Sequence, residues 1–267
     1  MTYRLTSIAT ATHVGKVRDT NEDFVGVITN TYDHNDHPVL AVFDGLGGHA
    51  GGEIASAVAF MGAKRIFDDY CSGGDRDVLA EDLAHPPYML TMMIQHAHRD
   101  ITAVVSQKRE YYRMGATAAL AYLDGEHLYG ATAGDSRIYQ FIATTEKLQQ
   151  ISADDTVAED LLARGVVESP EDELYRKNAH KLTQALGSPA AWINNNTYRR
   201  EVADGDLVLV CSDGLTDMID DERIAGIITE TSTHTTSLDE VADALIEAAL
   251  DAGGKDNVSV ALARVSG

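Results

Sequence analysis

Four acidic residues stand beside glycine or small-residue turns at well-separated points of the chain. They are Asp44 in AVFDGLGGHAGGE, Asp135 in ATAGDSRIY, Asp213 in LVLVCSDGLTD and Asp256 in GGKDNVSVAL. Three follow a short apolar run and the fourth precedes one. Short apolar runs bounded by turn residues read as buried strands, and strands that share a core can bring carboxylates at their ends to one place. Converging carboxylates repel one another, so such a place is stable only with cations between them. Hard oxygen donors favour Mg²⁺, Mn²⁺ or Ca²⁺ over softer metals. The chemistry that fits is metal-dependent hydrolysis of phosphate esters.

Each turn also has a plainer account. Asp-Gly and Asp-Ser are common turn pairs for backbone reasons alone, and this covers Asp135, Asp213 and Asp256-Asn257 taken singly. Asp44 taken singly fits an ordinary strand-to-helix turn capped by its carboxylate. Against that, the glycines around it let a backbone carbonyl, that of Gly45, approach a cation closely. Arg18 lies in GKVRDTNED, just before a strand. Its planar fork suits phosphate oxygens, and Glu22 and Asp23 stand near enough in sequence to hold metal-bound waters. A charged turn with local salt bridges is the plainer account of that segment. Other chemistries lack their signatures. There is no GxxxxGK[ST] loop, no GxGxxG fingerprint and no GxSxG elbow. The ten histidines form no zinc pattern; His34 and His37 read as a solvated loop, and His96 and His98 as helix neighbours facing different ways.

The elements that must position these residues follow from pattern. Tyr3–Thr12, Phe24–Thr29 and Val39–Phe43 read as strands. A helix runs from about Glu53 to Tyr70, apolar almost all round in its first half, and so buried. Pro86-Pro87 breaks the chain before a helix from about Tyr88 to Val105. Ala116–Leu123 and His127–Ala133 form a hairpin about Asp124-Gly125. Ser136–Ile142, Lys147–Ile151, Leu207–Cys211 and Ser259–Val265 continue as strands, and Leu238 to Ala249 keep helical spacing. Residues 154–189 are polar, hold short helical pieces and carry Pro170 and Pro189; they read as an excursion from the core, a flap. No linker separates two cores, so the expectation is one α+β domain over residues 1–267.

Composition narrows the partners. The 267 residues carry a formal net charge of −21, with 42 acidic against 21 basic side chains. Such a surface repels nucleic acid and anionic membrane, so neither is expected as a partner. Two cysteines, Cys71 and Cys211, make no disulfide framework and fit a reducing compartment. No signal peptide or membrane-length apolar stretch is apparent, and a cytoplasmic location is the expectation.

The chain resembles the metal-dependent serine/threonine protein phosphatases of type 2C in their compact bacterial form. The resemblance lies in GKVRDTNED, AVFDGLGGHAGGEIAS, GATAALAYLDGEHLYGATAGDSRIY, ISADDT, LTQALGS, GDLVLVCSDGLTD and GGKDNVSVAL, in that order and nearly end to end. It implies a four-layer α/β/β/α sandwich, two stacked antiparallel sheets flanked by helix pairs, with the metal site at one edge. It implies that Asp44 bridges two Mg²⁺ or Mn²⁺ ions, that the Gly45 carbonyl binds one of them, and that Asp213 and Asp256 hold the other. Asp135 with Asp213 would form a third, weaker cation site. Glu22, Asp23 and Asn257 would support the ligands, the first two through metal-bound waters. Arg18 would hold the substrate phosphate. Two cations would lower the pKa of a water, and the resulting hydroxide would attack phosphoserine or phosphothreonine in proteins that are substrates of a serine/threonine kinase. Two departures are mild: Leu46 stands where bacterial members often have Met, and Ala133 where Asn is frequent. Eukaryotic relatives have a His general acid at the Leu46 position. Here His49 follows three residues later, and a metal-bound water is the other donor.

Three other functions fit less of the sequence. A small-molecule phosphomonoesterase would use the same site, because specificity lies in the flap and surface. A phosphate-sensing module without turnover is expected to have lost the carboxylates, which are all here. An acidic Ca²⁺-binding structural protein lacks an EF-hand loop.

Overall fold

The computed structural model describes residues 2–30, 37–47, 51–72, 85–107 and 111–267. Eleven strands among them form two antiparallel sheets. The first takes β1 (Arg4–His13), β7 (Arg137–Ile142), β8 (Lys147–Gln150), β10 (Leu207–Cys211) and β11 (Val258–Ser266), in the order β1-β11-β10-β7-β8. The second takes β2 (Asp23–Ile28), β3 (Val39–Leu46), β5 (Ala118–Asp124), β6 (His127–Ala133) and β9 (Asn196–Glu201), in the order β2-β3-β5-β6-β9. The short β4 (Gly115–Ala116) pairs with the end of β3.

Period-two alternation sorts side chains between layers. Along β3, Leu40 and Val42 point to the other sheet and pack with Val208, Val210, Ala261 and Ala263. Val39, Ala41 and Phe43 point the other way. They meet α1 (Gly52–Ser72) through Ala55, Ala59 and Phe67, and α2 (Pro86–Gln107) through Leu90, Met93 and Ile94. On the far side of the first sheet, Tyr139, Leu209, Val260 and Leu262 pack with two helices. These are α6 (Asp221–Ser232) through Ile224 and Ile228, and α7 (Leu238–Asp251) through Val241 and Leu245. Three apolar cores thus separate four layers. Both faces of β3 and β10 are covered, which is why those strands read as continuous apolar runs. Truncating a fully buried residue such as Leu40 to alanine costs about 2–5 kcal/mol.

Several elements differ from the sequence reading. Pro86 and Pro87 form the first turn of α2 instead of preceding it, because proline lacks an N–H that a first helical turn does not use. Strand β9 was not expected. Its sequence, NTYRRE, is polar because only one side of it pairs, with β6, and most of its side chains face solvent. Helix α6 was not expected either. Its isoleucines and threonines are poor helix formers, and burial of Ile224, Ile227 and Ile228 decides the outcome. The Asp220 side chain caps it by accepting from the Arg223 N–H at 2.8 Å, a signal present in the sequence. The strand expected over 116–123 is interrupted at Thr117, directly opposite the Asp44 turn.

Residues 154–189 leave the first sheet after β8. They carry α3 (Val157–Ala163), α4 (Glu173–Arg176) and isolated bridges from Thr156 to Leu182 and from Ala116 to Leu186. The second bridge returns the segment to β4, beside the carboxylate turns.

Candidate active site

The sheets bring the expected acidic residues to one edge of the sandwich. Asp44 and Asp23 are register partners at the end of the β2–β3 ladder. Asp213 opens the short helix α5 (Asp213–Thr216) after β10, Asp256 precedes β11, and Asp135 lies in the turn between β6 and β7. Asp44 is the hub. Burial first, and then the charges of Asp23, Asp213, Asp135 and Asp256, hold its carboxyl well above the ordinary carboxylate range. Burial and the neighbouring Asp213 charge push Asp135 up to about 8. Asp213 is pushed up to about 6 by burial and by Asp217 and Asp256, and a hydrogen bond with Asp44 opposes this. Asp23 is pushed up to about 7 by burial, although the Ser212 hydroxyl hydrogen-bonds it. Protein groups therefore leave this cluster short of positive charge.

Two oxygens of the cluster lack donors. Asp23 Oδ1 and Asp213 Oδ1 are buried and have no hydrogen-bond partner. A buried carboxylate oxygen without a donor is costly, and a divalent cation supplies what the protein does not. The donors on offer are all oxygen, the set that suits Mg²⁺ or Mn²⁺. Gly45 adds its own constraint. A Cβ there would stand 2.2 Å from the Gly52 carbonyl oxygen and 2.4 Å from that of Glu22, so only glycine lets the three backbone segments meet. The Gly45 N–H donates to Glu22 O at 3.1 Å.

The supporting residues have defined partners. Asn257 is almost fully buried and ties three segments together. Its Oδ1 accepts from the Glu22 N–H at 2.8 Å, and its Nδ2 donates to Val14 O and Thr20 O at 2.9 and 3.0 Å. Gly214 packs on it so closely that a Cβ would lie 1.9 Å from the Asn257 carbonyl oxygen. The Ser212 hydroxyl donates to Asp23 Oδ2 at 2.8 Å and accepts from the Ser259 N–H at 3.0 Å. Glu22 sits against Gly52, and burial holds its carboxyl above the ordinary range while Arg18 opposes this. Arg18 is at the rim, half exposed, with Nη2 donating to Asp256 Oδ2 at 2.6 Å.

Residues 154–189 are tied to the same edge. Arg137 binds Asp154 with Nε on Oδ1 at 2.9 Å and Nη2 on Oδ2 at 2.6 Å. Asp155 Oδ2 accepts from the Gly134 N–H at 2.9 Å, one residue before Asp135, and the Asp155 N–H returns to Gly134 O at 2.9 Å. Farther along that segment, His180 Nδ1 lies 3.3 Å from Asp217 Oδ2. Among the described residues, His180, Asp213 and Asp217 form a group of three metal-competent side chains whose ligand atoms all lie within 4.8 Å of one another. Asp135, Arg137, Asp154, Tyr175, His180, Asp213 and Asp217 line a cavity of about 100 Å³ there. The motifs of the sequence mark neither His180 nor Asp217 as a site residue. The spacing Asp213-x-x-x-Asp217, one turn of helix, was the available signal for the second.

Of the histidines weighed from sequence, His34 and His49 lie outside the described residues. His37 sits beside the Tyr122 ring with centroids 6.2 Å apart. His98 is buried, with Nδ1 accepting from the Gly187 N–H at 3.1 Å and Nε2 2.9 Å from Ala190 O, whereas His96 is partly exposed beside Arg99. Cys211 packs in the apolar core under the first sheet. No helix among the described residues is long and apolar enough to cross a membrane.

Comparison with known proteins gives the family and the fold. Residues 15–251 match the family profile described as protein phosphatase 2C. The serine/threonine phosphatase stp of Listeria monocytogenes is 30% identical over 248 residues, 93% of this chain and 91% of that protein. The serine/threonine protein phosphatase PstP of Mycobacterium tuberculosis is 32% identical over 251 residues, 94% of this chain and 43% of PstP. A crystal structure of the M. tuberculosis PstP/Ppp matches at 30% identity with a TM-score of 0.78, over 100% of both chains. The PstP catalytic domain in complex with two manganese ions matches at 31% identity with a TM-score of 0.77, again over 100% of both. With a family match over most of its length and the two-sheet fold of these structures, the chain belongs to the protein phosphatase 2C family.

Proposed function

We propose that this chain removes phosphate from phosphoserine and phosphothreonine in proteins, using divalent cations seated on Asp44, Gly45, Asp213 and Asp256. The family is one of metal-dependent phosphoprotein phosphatases, and one matched structure is a complex with two manganese ions. The observation that carries the ligand assignment is the cluster itself: four carboxyls that repel the carboxyl of Asp44, with two buried oxygens left without donors. Asp44, the Gly45 carbonyl, Asp213 and Asp256 would hold two Mg²⁺ or Mn²⁺ ions, with Asp44 shared between them. Asp135 and Asp213 hold a third, weaker cation, with Asp217 and His180 facing the same small cavity.

Bound divalent cations supply an activated water and offset charge on the phosphoryl oxygens. The chain does the rest. Arg18, free on its solvent side, exchanges part of its contact with Asp256 for the substrate phosphate and orients it for in-line attack. Glu22 and Asp23 support the ligands through water, and Asn257 fixes the loop that carries Glu22. Residues 154–189 form a flap on a single domain and contribute to substrate choice. The substrates are proteins phosphorylated by a serine/threonine kinase, and the enzyme works in the cytoplasm.

Hydrolysis of p-nitrophenyl phosphate and of phosphoserine and phosphothreonine peptides tests this reading. Turnover is expected with Mn²⁺ or Mg²⁺ and none in EDTA. Full turnover in chelator sinks the metal-dependent assignment. Hydrolysis confined to small esters, with no phosphopeptide cleaved, replaces the protein substrate by a small-molecule one.

A further inference from the structure

The register of the second sheet is continuous across the point where its strand breaks. Val42 pairs with Ala119 on one side and Gly45 with Ala116 on the other, so Thr117 stands opposite Asp44. Only half of the expected ladder pair forms from main-chain atoms. The Thr117 N–H donates to Asp44 O at 2.8 Å, but the Asp44 N–H donates to the Thr117 hydroxyl, Oγ1, at 3.1 Å. A side-chain oxygen thus takes the place of a strand carbonyl at the residue on which the acidic cluster centres. The same Oγ1 lies 2.7 Å from the Ser136 hydroxyl, and both side chains are fully buried. Ser136 directly follows Asp135. The turn before Asp135 also leans on Thr117: Gly134 has φ +104°, and a Cβ there would stand 2.7 Å from Thr117 Cγ2.

We propose that Thr117 is a positioning residue, and that its hydroxyl pair with Ser136 locks the Asp44 turn to the Asp135 turn. This rests on the metal-ligand reading given above and adds to it. The pair sets the spacing between the central cation site and the weaker one, so that occupancy of each depends on the other. The physical reason is that two buried hydroxyls have few alternative partners, and breaking their bond strands a polar group in the core. Neither hydroxyl reaches substrate. The effect is therefore on cation affinity and on kcat, not on substrate binding.

Calorimetric Mn²⁺ titration and p-nitrophenyl phosphate kinetics on Thr117→Val, Thr117→Ser and Ser136→Ala test it, with wild type as control. Wild type that binds no Mn²⁺ overturns the ligand reading itself. With wild type binding, Thr117→Val is expected to weaken central Mn²⁺ binding about tenfold and lower kcat comparably, with KM within about twofold. Thr117→Ser, which keeps the hydroxyl, is expected to restore both. Ser136→Ala is expected to weaken the third cation most. Two results overturn the proposal: wild-type Mn²⁺ affinity in Thr117→Val, or Thr117→Ser as impaired as Thr117→Val. If Thr117→Val does not fold, Ser136→Ala carries the test, and unchanged affinity at every Mn²⁺ site in that variant overturns it.

Discussion

Arg18 and Asp256 are 238 positions apart in the chain, yet the Arg18 guanidinium donates a 2.6 Å hydrogen bond to Asp256 Oδ2 at the rim of the acidic cluster. The other oxygen of Asp256 accepts from the Asn257 N–H at 2.8 Å. The guanidinium carries charge into a cluster that has too little of it, and half of its surface still faces solvent.

Loss of that guanidinium should act on substrate more than on cations. Removing one charge-assisted hydrogen bond costs on the order of 1.5–3 kcal/mol. Arg18→Ala is expected to lower kcat/KM for a phosphopeptide by roughly 10–100-fold, mostly through KM. Mn²⁺ affinity measured by calorimetry should stay close to wild type. Unchanged kinetic constants would show that Arg18 is only a rim salt bridge.

Asp44→Asn should separate function from stability. A neutral amide is a weaker cation ligand than a carboxylate, and on the proposed ligand role turnover is expected to fall by more than the roughly 10–100-fold typical of losing an outer partner of a ligand. In EDTA the same variant should melt higher than wild type, because it removes a carboxyl that burial and its acidic neighbours force to take up a proton. Adding Mn²⁺ should reverse the order. A variant that melts lower than wild type in chelator as well contradicts the repulsion account.

The pH dependence has a definite sign. The carboxyls of Asp44 and Asp135 are held above their ordinary range, Asp135 at about 8, whereas in the unfolded chain they titrate near ~4. Between those values the folded, metal-free protein holds more protons than the unfolded chain, so its stability falls as pH rises. Cations need the ionised carboxylates and displace those protons. Melting temperature in EDTA is expected to drop from pH 6 to pH 8, and the increment given by Mn²⁺ to grow over the same interval. An increment independent of pH, with no proton release in calorimetry, would contradict the assignment of raised values to these ligands.

Asn257→Ala should weaken both fold and site. It leaves the Glu22 N–H and the carbonyls of Val14 and Thr20 without their side-chain partner. At about 1–3 kcal/mol for a buried polar group left unpaired, a loss of about 2–4 kcal/mol in denaturant unfolding is expected. The loop from Val14 to Glu22 includes Arg18, so KM should rise as well. A change below about 0.5 kcal/mol would place Asn257 outside the structural frame.

The sequence by itself determined the strands that end at the acidic cluster. Val39–Leu46, Leu207–Cys211 and Val258–Ser266 are buried on both faces, so their apolar runs announce them, and the Asp-Gly turns beside them mark the candidate ligands. Local pattern reaches no further than a few residues, and three features lay beyond it. Strand β9 and helix α6 have weak propensities of their own and form because the β6 edge and the first sheet's outer face need covering. The hub role of Asp44 depends on charges from four distant segments meeting at one point. That Thr117 faces Asp44, that Asn257 ties the Arg18 loop to β11, and that His180 comes down beside Asp217 are long-range contacts. They are set by how the two sheets stack and where the chain returns, and no spacing along the chain encodes them.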